Sequence, residues 1–434
     1  MEKQNYNFAT AISMVIGCVI GSGIFFKADD ILVAVNGNVA VGLLGFFIVG
    51  IGVLFGAVTI SYYAELDKDN EGLIGYARMA VGRKFSYVVG WLMISCYFPT
   101  LMVILALITA DYMGMLLGID SQLFITVATF ILLATNMYIN LKFPKGAGQI
   151  QVYSTVAKLI PLVLIGVIGA LFFSAPVETE VTSQTLSGGS PMSALIAIAF
   201  AFDGWIVATN IADDLEDSKR NLPRALAWGS VAIMVIYSVY FFGLTRILSP
   251  ADIVSLGDDH IMVASQALVG PIGAKLILVF IIISVYGGFN GMTLAFVRLP
   301  EELIEIGLMK LPTKYKDNSF KYSVMLASWI TIFWFIIEQL IDYGLIFTNL
   351  EETFDISSMP IVIIYIIYIV LFLAVNKFVT KLGIGKRIYF IIISLIATIT
   401  SLMIIGGSLE VNGLLYIIIS IIIIIIGIPM YIKE

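Results

Sequence analysis

The sequence predicts an all-α membrane protein that crosses the bilayer twelve times, and three observations lead to this fold class. The 434 residues are 60% hydrophobic and only 12% charged, with a mean hydropathy of +1.01. Twelve apolar runs each approach the length that a helix needs to cross a hydrocarbon core of about 30 Å. The charged residues concentrate in the connections between those runs. This composition excludes a soluble enzyme and indicates a polytopic membrane protein.

The order of the apolar runs also predicts an orientation. An even number of spans puts both termini on one side of the membrane, together with 20 of the 24 lysine and arginine residues. Lys27, Arg246 and Lys275 fall on the opposite side, so the positive-inside rule places both termini in the cytoplasm. We therefore predict a multi-pass cell-membrane protein, and the isoleucine-rich spans favour a bacterial inner membrane. The predicted spans are residues 8–35, 39–64, 85–117, 122–141, 149–174, 191–214, 224–247, 269–298, 322–341, 353–375, 388–406 and 413–432.

Two of the connections combine charged and apolar residues, which predicts structure in them. Residues 66–84 combine charges with glycine and apolar residues, which favours a short amphipathic helix on the cytoplasmic face over a plain solvated loop. Residues 249–268 are acidic and partly apolar, and we expect them to form an external connection that packs as a lid. The single histidine, His260, is assigned to a loop in this connection.

The first span contains a predicted break at Gly21-Ser22-Gly23, near its centre. A glycine in a helix interior costs about 1 kcal/mol relative to alanine. A broken helix in a membrane must satisfy its freed backbone groups with protein, water or a ligand. The half-helix that starts at the break presents unpaired N–H groups and a positive dipole end, which suit a carboxylate. The alternative is a close contact between helices through small residues.

The sixth span is interrupted in a similar way, at Asp203-Gly204. An ionisable residue inside an apolar stretch usually faces a cavity or a partner, although Asp203 is equally suited to cap the half-helix that follows. Breaks at matching positions of two halves indicate a transporter binding site. Five spans in each half give the halves opposite orientations. We therefore predict one core over residues 1–375, with inverted repeats at about 8–174 and 191–375, and two additional C-terminal helices in 376–434.

Lys158 lies deep in the fifth span, nine residues from Gln149 and so about 14 Å along a helix. A lysine at the centre of a membrane helix costs roughly 2.5–3.5 kcal/mol on insertion scales, so its ammonium should meet carbonyl or hydroxyl oxygens. The broken first helix offers carbonyls around Gly17. We favour a structural tether over the alternative, a lysine that carries a proton.

Other classes of site find little support in the sequence. Cys18 and Cys96 both lie in apolar runs, so we expect no disulfide framework. No cluster of His, Cys or carboxylate residues has metal-ligand spacing, and no nucleophile-base arrangement stands out, so we expect neither a cofactor nor an enzyme. The first apolar run is too long for a cleavable signal peptide, and we expect it to remain as a span.

At this point the chain resembles the amino acid–polyamine–organocation superfamily, and within it the L-amino acid transporter-like permeases. The resemblance covers most of residues 8–312. Its most specific elements are Val19-Ile20-Gly21-Ser22-Gly23-Ile24-Phe25, Phe200-Ala201-Phe202-Asp203-Gly204-Trp205, and Asn221-Leu222-Pro223-Arg224-Ala225. It implies a leucine-transporter-type fold with five-plus-five inverted repeats and broken helices one and six.

The resemblance also implies roles for individual residues. In such permeases, backbone N–H groups at the first break bind the substrate carboxylate, and carbonyls of both breaks bind its amino group. An aromatic residue at Phe200 is similar to a gate over the substrate. Lys158 is similar to a lysine that replaces a sodium site, with Gly17 and Ser284 beside it and Tyr237 near that region. The implied substrate site comprises Val19, Ile20, Gly21, Ser22, Gly23, Ile24, Phe200, Ala201, Phe202, Asp203 and Gly204.

These expectations combine into a sodium-independent transporter of neutral L-amino acids that works by alternating access, as an exchanger or facilitator. Its side-chain pocket is expected between spans one, three, six, eight and ten. The alternatives are a proton-coupled or cationic amino acid or amine permease of the same fold, a sodium symporter, and a membrane sensor that binds a ligand without moving it. The expected partners are a small-molecule amino acid and the lipid bilayer. We expect no nucleic acid, and no disulfide-linked heavy chain because no external cysteine is available.

Overall fold

The computed structural model describes residues 7–21, 23–67, 71–143, 154, 157–174, 190–206, 209, 215–346 and 355–432. Within these ranges the regular structure is helical, and an isolated bridge joins Met309 to Tyr431. The helices are α1 (Phe8–Val19), α2 (Gly23–Phe26), α3 (Ala28–Ala34), α4 (Val39–Leu66), α5 (Gly72–Ala80), α6 (Arg83–Leu117), α7 (Gln122–Lys142), α8 (Ala157–Phe172), α9 (Ala194–Ala201), α10 (Ser218–Ile247), α11 (Pro250–Leu256), α12 (His260–Phe296), α13 (Leu299–Glu305), α14 (Ser319–Asp342), α15 (Ser358–Val379), α16 (Ile384–Leu409) and α17 (Gly413–Gly427). Short 3₁₀ turns lie at Gly257–Asp259, Thr313–Tyr315 and Ile428–Met430, and α6 and α8 contain π-helical turns at Met93–Tyr97 and Leu164–Ile168.

The predicted all-α membrane fold is confirmed. In the described ranges, nine helical stretches are long and apolar enough to cross a membrane, and α1 and α8 are shorter apolar helices. With the short helix α9 in the sixth run, each of the twelve predicted spans corresponds to a helix or to the pieces of a broken one.

The contacts between helices follow the pairing that two inverted five-span halves require. The second and seventh spans pack together, as α4 and α10, and so do the third and eighth, as α6 and α12. The contact of α1 with α10 has its counterpart in α9 with α4, and that of α7 with α12 has its counterpart in α14 with α6. The last two helices pack on this core, because α16 contacts α4 and α15, and α17 contacts α15 and α6. The exact repeat boundaries stay a prediction.

Residues 72–80 form the helix that the sequence favoured, and the structure gives it a buried role. Ile74, Tyr76 and Ala77 are almost completely buried on α5. The Tyr76 hydroxyl donates to Thr209 Oγ1 at 3.1 Å, and Ser86 Oγ donates to the carbonyl of Ile74 at 2.8 Å. The helix α5 therefore packs into the protein beside the sixth span instead of lying only at the membrane surface.

The assignment of His260 to a loop is wrong. His260 begins α12, is fully buried, and places Nδ1 2.6 Å from the carbonyl oxygen of Gly257. The preceding segment folds because Ser249 caps α11 through the N–H of Asp252. Gly257 then turns the chain with a φ of 52°, a conformation that favours glycine.

An ion pair of a buried lysine with partly exposed aspartates joins the end of the first span to the beginning of α15. Lys27 Nζ lies 2.7 Å from Asp30 Oδ2 and 2.8 Å from Asp355 Oδ2, and Lys27 is only 5% exposed. Asp355 also accepts hydrogen bonds from Ser357 and Ser358. The sequence analysis assigned Lys27 only to the external side of the membrane, whereas in the structure it links two segments 328 residues apart.

Candidate functional site

The first span is broken where the sequence predicted. Helix α1 ends at Val19, Ile20 is extended with φ −65° and ψ 98°, and the chain becomes helical again at Gly23. By helix geometry, the N–H groups of Gly23 and Ile24 open the second piece and have no acceptor within it. Ser22, which belongs to the predicted site, lies outside the described residues.

The last carbonyls of α1 receive donors from two other helices. Lys158 Nζ, on α8, donates to the carbonyl of Gly17 at 3.0 Å, and the Tyr237 hydroxyl, on α10, lies 3.2 Å from the carbonyl of Val19. The C-terminal carbonyls of a helix have no partner inside it, and they carry the negative end of its dipole. An ammonium group and a hydroxyl thus donate hydrogen bonds to two carbonyls, those of Gly17 and Val19, that the break leaves without helical partners.

The second break lies directly against the first. Helix α9 ends at Ala201, and the chain turns at Gly204 with a φ of 97°, which favours glycine. A Cβ atom on Gly204 would lie 2.8 Å from the carbonyl oxygen of Cys18, and one on Gly23 would lie 2.8 Å from Cα of Ala201. Glycine is required at both positions because backbone meets backbone there.

Tyr237 lies at the junction of the two breaks. Its hydroxyl is 3.1 Å from the carbonyl oxygen of Ala201 as well as 3.2 Å from that of Val19. The ring is fully buried and packs edge-on against Phe202, with centroids 5.2 Å apart. The resemblance grouped this tyrosine with the region of Lys158, whereas the structure shows that it links the carbonyl ends of α1 and α9.

We expect Tyr237→Phe to lower the stability of the folded protein. The substitution removes the hydrogen that serves these two buried carbonyls, and a buried polar group left without a partner costs roughly 1–3 kcal/mol. The measurement is the melting temperature of the purified protein in detergent. Tyr240→Phe is the matched control, because Tyr240 is also fully buried on α10 and its hydroxyl has no hydrogen-bond partner among the described residues. Equal shifts in the two variants would contradict the assignment.

A cavity of about 350 Å³ opens beside the two breaks. Pockets for small molecules usually measure roughly 300–1,000 Å³, so this one suits a small ligand. Among the described residues it is lined by the first, third, sixth and eighth spans, and the described part of the tenth span, which was expected to contribute, supplies no lining residue. The lining residues are Cys18, Val19, Gly21, Gly23, Tyr97, Phe98, Leu101, Leu105, Phe200, Ala201, Asp203, Gly204, Gly288, Gly291, Met292, Leu294 and Ala295.

Tyr97 is a lining residue that the sequence analysis missed. It ends the π-helical turn of α6, and its hydroxyl donates to Asp203 Oδ2 at 2.5 Å. An extra residue in one helical turn rotates the side chains that follow, and such turns are frequent at functional sites. A tyrosine within a long apolar run gives no local sign of this geometry, so the sequence held no signal that singled it out.

Asp203 is 9% exposed and lies at the end of the second break. Its Oδ2 atom is held by Tyr97, while Oδ1 has no hydrogen-bond partner among the described residues. The neighbouring Gly204 N–H interacts with the carboxyl group. The capping role considered from the sequence therefore accounts for only part of the environment of this side chain.

Phe200 lies at the edge of the cavity beside the buried lysine of the first span. Its ring meets that of Phe26 edge-on, with centroids 5.4 Å apart, and Lys27 Nζ is 5.8 Å from the Phe200 centroid. A cation beside an aromatic face is attracted to it. Phe200 therefore borders the cavity and packs on the first span, and the gating role that the resemblance implies stays a prediction.

Among the described residues, the Gly17 carbonyl is the hydrogen-bond partner of the Lys158 ammonium group. Lys158 is 1% exposed. Ser284, which the resemblance places beside it, is fully buried on α12, and its Oγ atom has no partner among the described residues. In this structure Ser284 therefore makes no hydrogen bond to the ammonium group.

Comparison with known proteins gives one consistent result. The model of the amino acid permease family matches residues 6–428. The serine/threonine exchanger SteT of Bacillus subtilis is 30% identical over 433 residues, which cover 99% of this chain and 96% of that protein. The large neutral amino acids transporter small subunit 2 of Mus musculus is 25% identical over 319 residues, 68% of this chain and 57% of that protein. The arginine/ornithine antiporter ArcD1 of Lactococcus lactis subsp. cremoris is 21% identical over 338 residues, 71% of this chain and 63% of that protein.

Proposed function

The chain belongs to the amino acid permease family, and from this premise we propose that it exchanges or facilitates the passage of neutral L-amino acids by alternating access, without sodium. Members of this family are amino acid transporters and not enzymes. The proposal adds to the family assignment a substrate class, a mode of transport and a set of binding groups. Each of these has its own support.

The observation that carries the proposal is the meeting of two broken helices at one cavity. The N–H groups of Gly23 and Ile24 begin a helix piece and suit the substrate carboxylate. The second break brings the end of α9 and Asp203 to the same cavity. An amino acid zwitterion carries a carboxylate and an ammonium group, and the two breaks offer groups that attract one of them each. Because these are fixed groups of the protein backbone, they can bind amino acids with different side chains.

The neutral substrate class is supported by the cavity wall. Apart from Tyr97 and Asp203, the side chains that face the cavity are mostly apolar, such as Leu101, Leu105 and Met292. A basic substrate side chain would need a carboxylate of its own, and a volume of about 350 Å³ is at the small end for such sites. The names of SteT and of the mouse relative also point to neutral amino acids.

Independence from sodium is supported by Lys158. The ammonium group that donates to the carbonyl of Gly17 ties the end of α1 to α8, which is what a bound cation would otherwise do. Lys158 thus supplies a positive charge at the position where such a cation would bind. A transporter of this kind needs no coupling ion, which favours exchange or facilitated movement.

We expect proteoliposomes to take up labelled neutral amino acids in sodium-free buffer when unlabelled amino acid is present inside. Exchange needs no ion gradient, so addition of sodium should change the initial rate less than twofold. The measurement is initial uptake over a panel of neutral, acidic and basic amino acids, with protein-free liposomes as the control. Uptake that occurs only with sodium would overturn the proposal, and binding without counterflow would identify a sensor.

The second candidate function, a permease for cationic amino acids or amines, is favoured by one specific observation. Asp203 places a carboxylate on the cavity wall, and ArcD1 is named an arginine/ornithine antiporter. The same uptake panel decides between the two, because this candidate predicts that arginine or ornithine exchanges faster than any neutral amino acid. An inward proton gradient that drives uptake into empty vesicles would indicate proton coupling.

A further inference from the structure

We propose that an anionic phospholipid binds between the start of α6 and the end of α17, with its phosphate group beside Arg83 and Lys84. The site lies in the leaflet that the positive-inside rule assigns to the cytoplasm. A cavity of about 950 Å³, the headgroup cavity, lies there between residues 81–91 and 424–431. The inference goes beyond the proposed function and does not depend on it, because it concerns the surface that faces lipid and not the substrate cavity.

The first step of the argument concerns the walls of the headgroup cavity. The Tyr87 hydroxyl donates to the carbonyl of Gly427 at 2.5 Å, and Trp91 Nε1 donates to the carbonyl of Ile423 at 2.8 Å. The ring of Tyr431 packs against that of Tyr87, with centroids 5.0 Å apart. Tyr87 and Trp91 are both buried, so they fix the separation of α6 and α17. The cavity is therefore shaped by contacts between two spans.

The second step concerns the depth of the headgroup cavity in the membrane. The membrane-spanning stretch Arg83–Leu117 begins at the cavity, and the stretch Gly413–Met430 ends there. The cavity thus lies at the boundary between hydrocarbon and headgroups, where tyrosine and tryptophan are enriched. Val81 and Ile428 line it and are 55% and 56% exposed. Apolar side chains at this boundary suit the acyl chains of a lipid and offer nothing to a soluble phosphate compound.

The third step concerns charge. The described residues that line the headgroup cavity include two cations and no carboxylate. Arg83 is oriented by its Nη2 atom, which donates to the carbonyl of Gly307 at 2.6 Å. Lys84 is exposed, and no described residue forms an ion pair with its ammonium group. Both cations lie in the first turn of α6, at the positive end of the helix dipole, so an anion between them and the lipid phase is stabilised.

Two further ammonium groups border the headgroup cavity. Lys310 Nζ donates to the carbonyl of Pro429 at 3.0 Å, and Lys377 Nζ donates to the carbonyl of Ala80 at 3.0 Å. Each of these carbonyls belongs to a residue next to one that lines the cavity. Basic pockets between spans on the cytoplasmic side bind anionic headgroups. A zwitterionic headgroup gains less, because the same cations repel its own ammonium group.

The test measures binding of phospholipids to the purified full-length protein in detergent by native mass spectrometry. Dioleoyl phosphatidylglycerol and dioleoyl phosphatidylcholine are titrated separately, so the headgroup charge differs while the acyl chains stay the same. The first variant is Lys84→Gln, which removes the charge of an exposed side chain. Lys142→Gln is the matched control, because Lys142 is also exposed at the end of a span on the same predicted side, but does not line the cavity.

A second pair of variants tests the cavity without changing a charge. Val81→Trp places a large side chain at the exposed mouth of the headgroup cavity. Val127→Trp is its control, because Val127 is an exposed valine of α7 that lies outside the cavity. A soluble competitor, glycerol 3-phosphate, is added in a separate titration to distinguish a lipid site from a general phosphate site.

The wild type should bind one phosphatidylglycerol roughly 30-fold more tightly than phosphatidylcholine, since two cations contribute about 1 kcal/mol each. Lys84→Gln should reduce this preference roughly fivefold, as the loss of one such charge predicts. Val81→Trp should lose the tight phosphatidylglycerol site, and both control variants should bind like the wild type. Raising the ionic strength from about 0.1 to 1 M should weaken the preference of the wild type, because it shortens the screening length from about 10 to 3 Å.

Three results would overturn the inference. Equal affinity of the wild type for the two lipids would show that the cations select no headgroup. Equal losses in Lys84→Gln and Lys142→Gln would show diffuse attraction to a basic face in place of a site. Displacement of phosphatidylglycerol by an equal concentration of glycerol 3-phosphate would show that the occupant is a soluble phosphate compound. None of these measurements reads transport, so the proposed function and this inference stand or fail separately.

Discussion

Replacement of Lys158 by alanine should reduce amino acid exchange by roughly 10- to 100-fold, since a hydrogen bond to a charged group contributes about 1.5–3 kcal/mol. The change removes the donor of the Gly17 carbonyl at 3.0 Å and leaves a buried helix end without its cation. It also removes a side chain that is only 1% exposed, so a small void remains beside α8. The measurement is the initial rate of counterflow in proteoliposomes, normalised to the amount of reconstituted protein.

Lys275→Ala is the matched control for this prediction. Lys275 also lies on a long helix, α12, but its side chain is exposed. Its removal should leave exchange and the melting temperature at wild-type values. A Lys158→Ala protein that is well expressed and exchanges at the wild-type rate would remove the assignment of Lys158 as a tether. Exchange that becomes dependent on sodium in the variant would, in contrast, support it directly.

The second large effect is expected from Gly23→Ala, which should reduce exchange by about 100-fold. The added Cβ would lie 2.8 Å from Cα of Ala201 and 2.8 Å from Cδ1 of Phe200. Overpacking of this kind typically costs 1–3 kcal/mol, or roughly 100-fold at the upper end. The phenylalanine ring can rotate away, but the backbone of Ala201 cannot, so the two breaks must separate. The measurement is again counterflow, together with the melting temperature.

Two other glycines make this prediction specific. A Cβ on Gly21 would find its nearest neighbour at 3.7 Å, the carbonyl oxygen of Val19, so Gly21→Ala should be far milder than Gly23→Ala. Gly385, on α16, has no atom within 4 Å of such a Cβ, and Gly385→Ala should behave like the wild type. Wild-type exchange by Gly23→Ala would show that the two breaks are farther apart during transport than in this structure.

The position of the breaks is a property that the sequence reveals well. Glycine pairs in an otherwise apolar run stand out locally, because each glycine weakens the helix by a known amount. Asp203 stands out in the same way, since a carboxylate is rare in a membrane span. The sequence did not show which of Gly21 and Gly23 could accept a larger side chain, because both are glycines and they are only two residues apart. Only the approach of Ala201 from another helix distinguishes them.

The partners of the buried polar groups were much harder to foresee. Tyr97 and Asp203 are 106 residues apart, and Tyr237 and Val19 are 218 residues apart. Each pair depends on the rotation and depth of two helices, and a π-helical turn in α6 sets that rotation for Tyr97. His260 was misassigned for a related reason, because its burial depends on how α11 turns the chain back toward the core.

The sequence by itself therefore determined that this is a membrane protein, how many spans it has and where two of its helices break. It also determined that Lys158 needs an oxygen partner. These follow from hydrophobicity, glycine content and charge, which act along a few neighbouring residues. The tertiary structure decided which helix ends Tyr237 joins, which oxygen of Asp203 accepts the Tyr97 hydroxyl, and that Lys27 meets Asp355. In a membrane, hydrophobicity drives every span into lipid equally, so close packing and hydrogen bonds between spans select the partners.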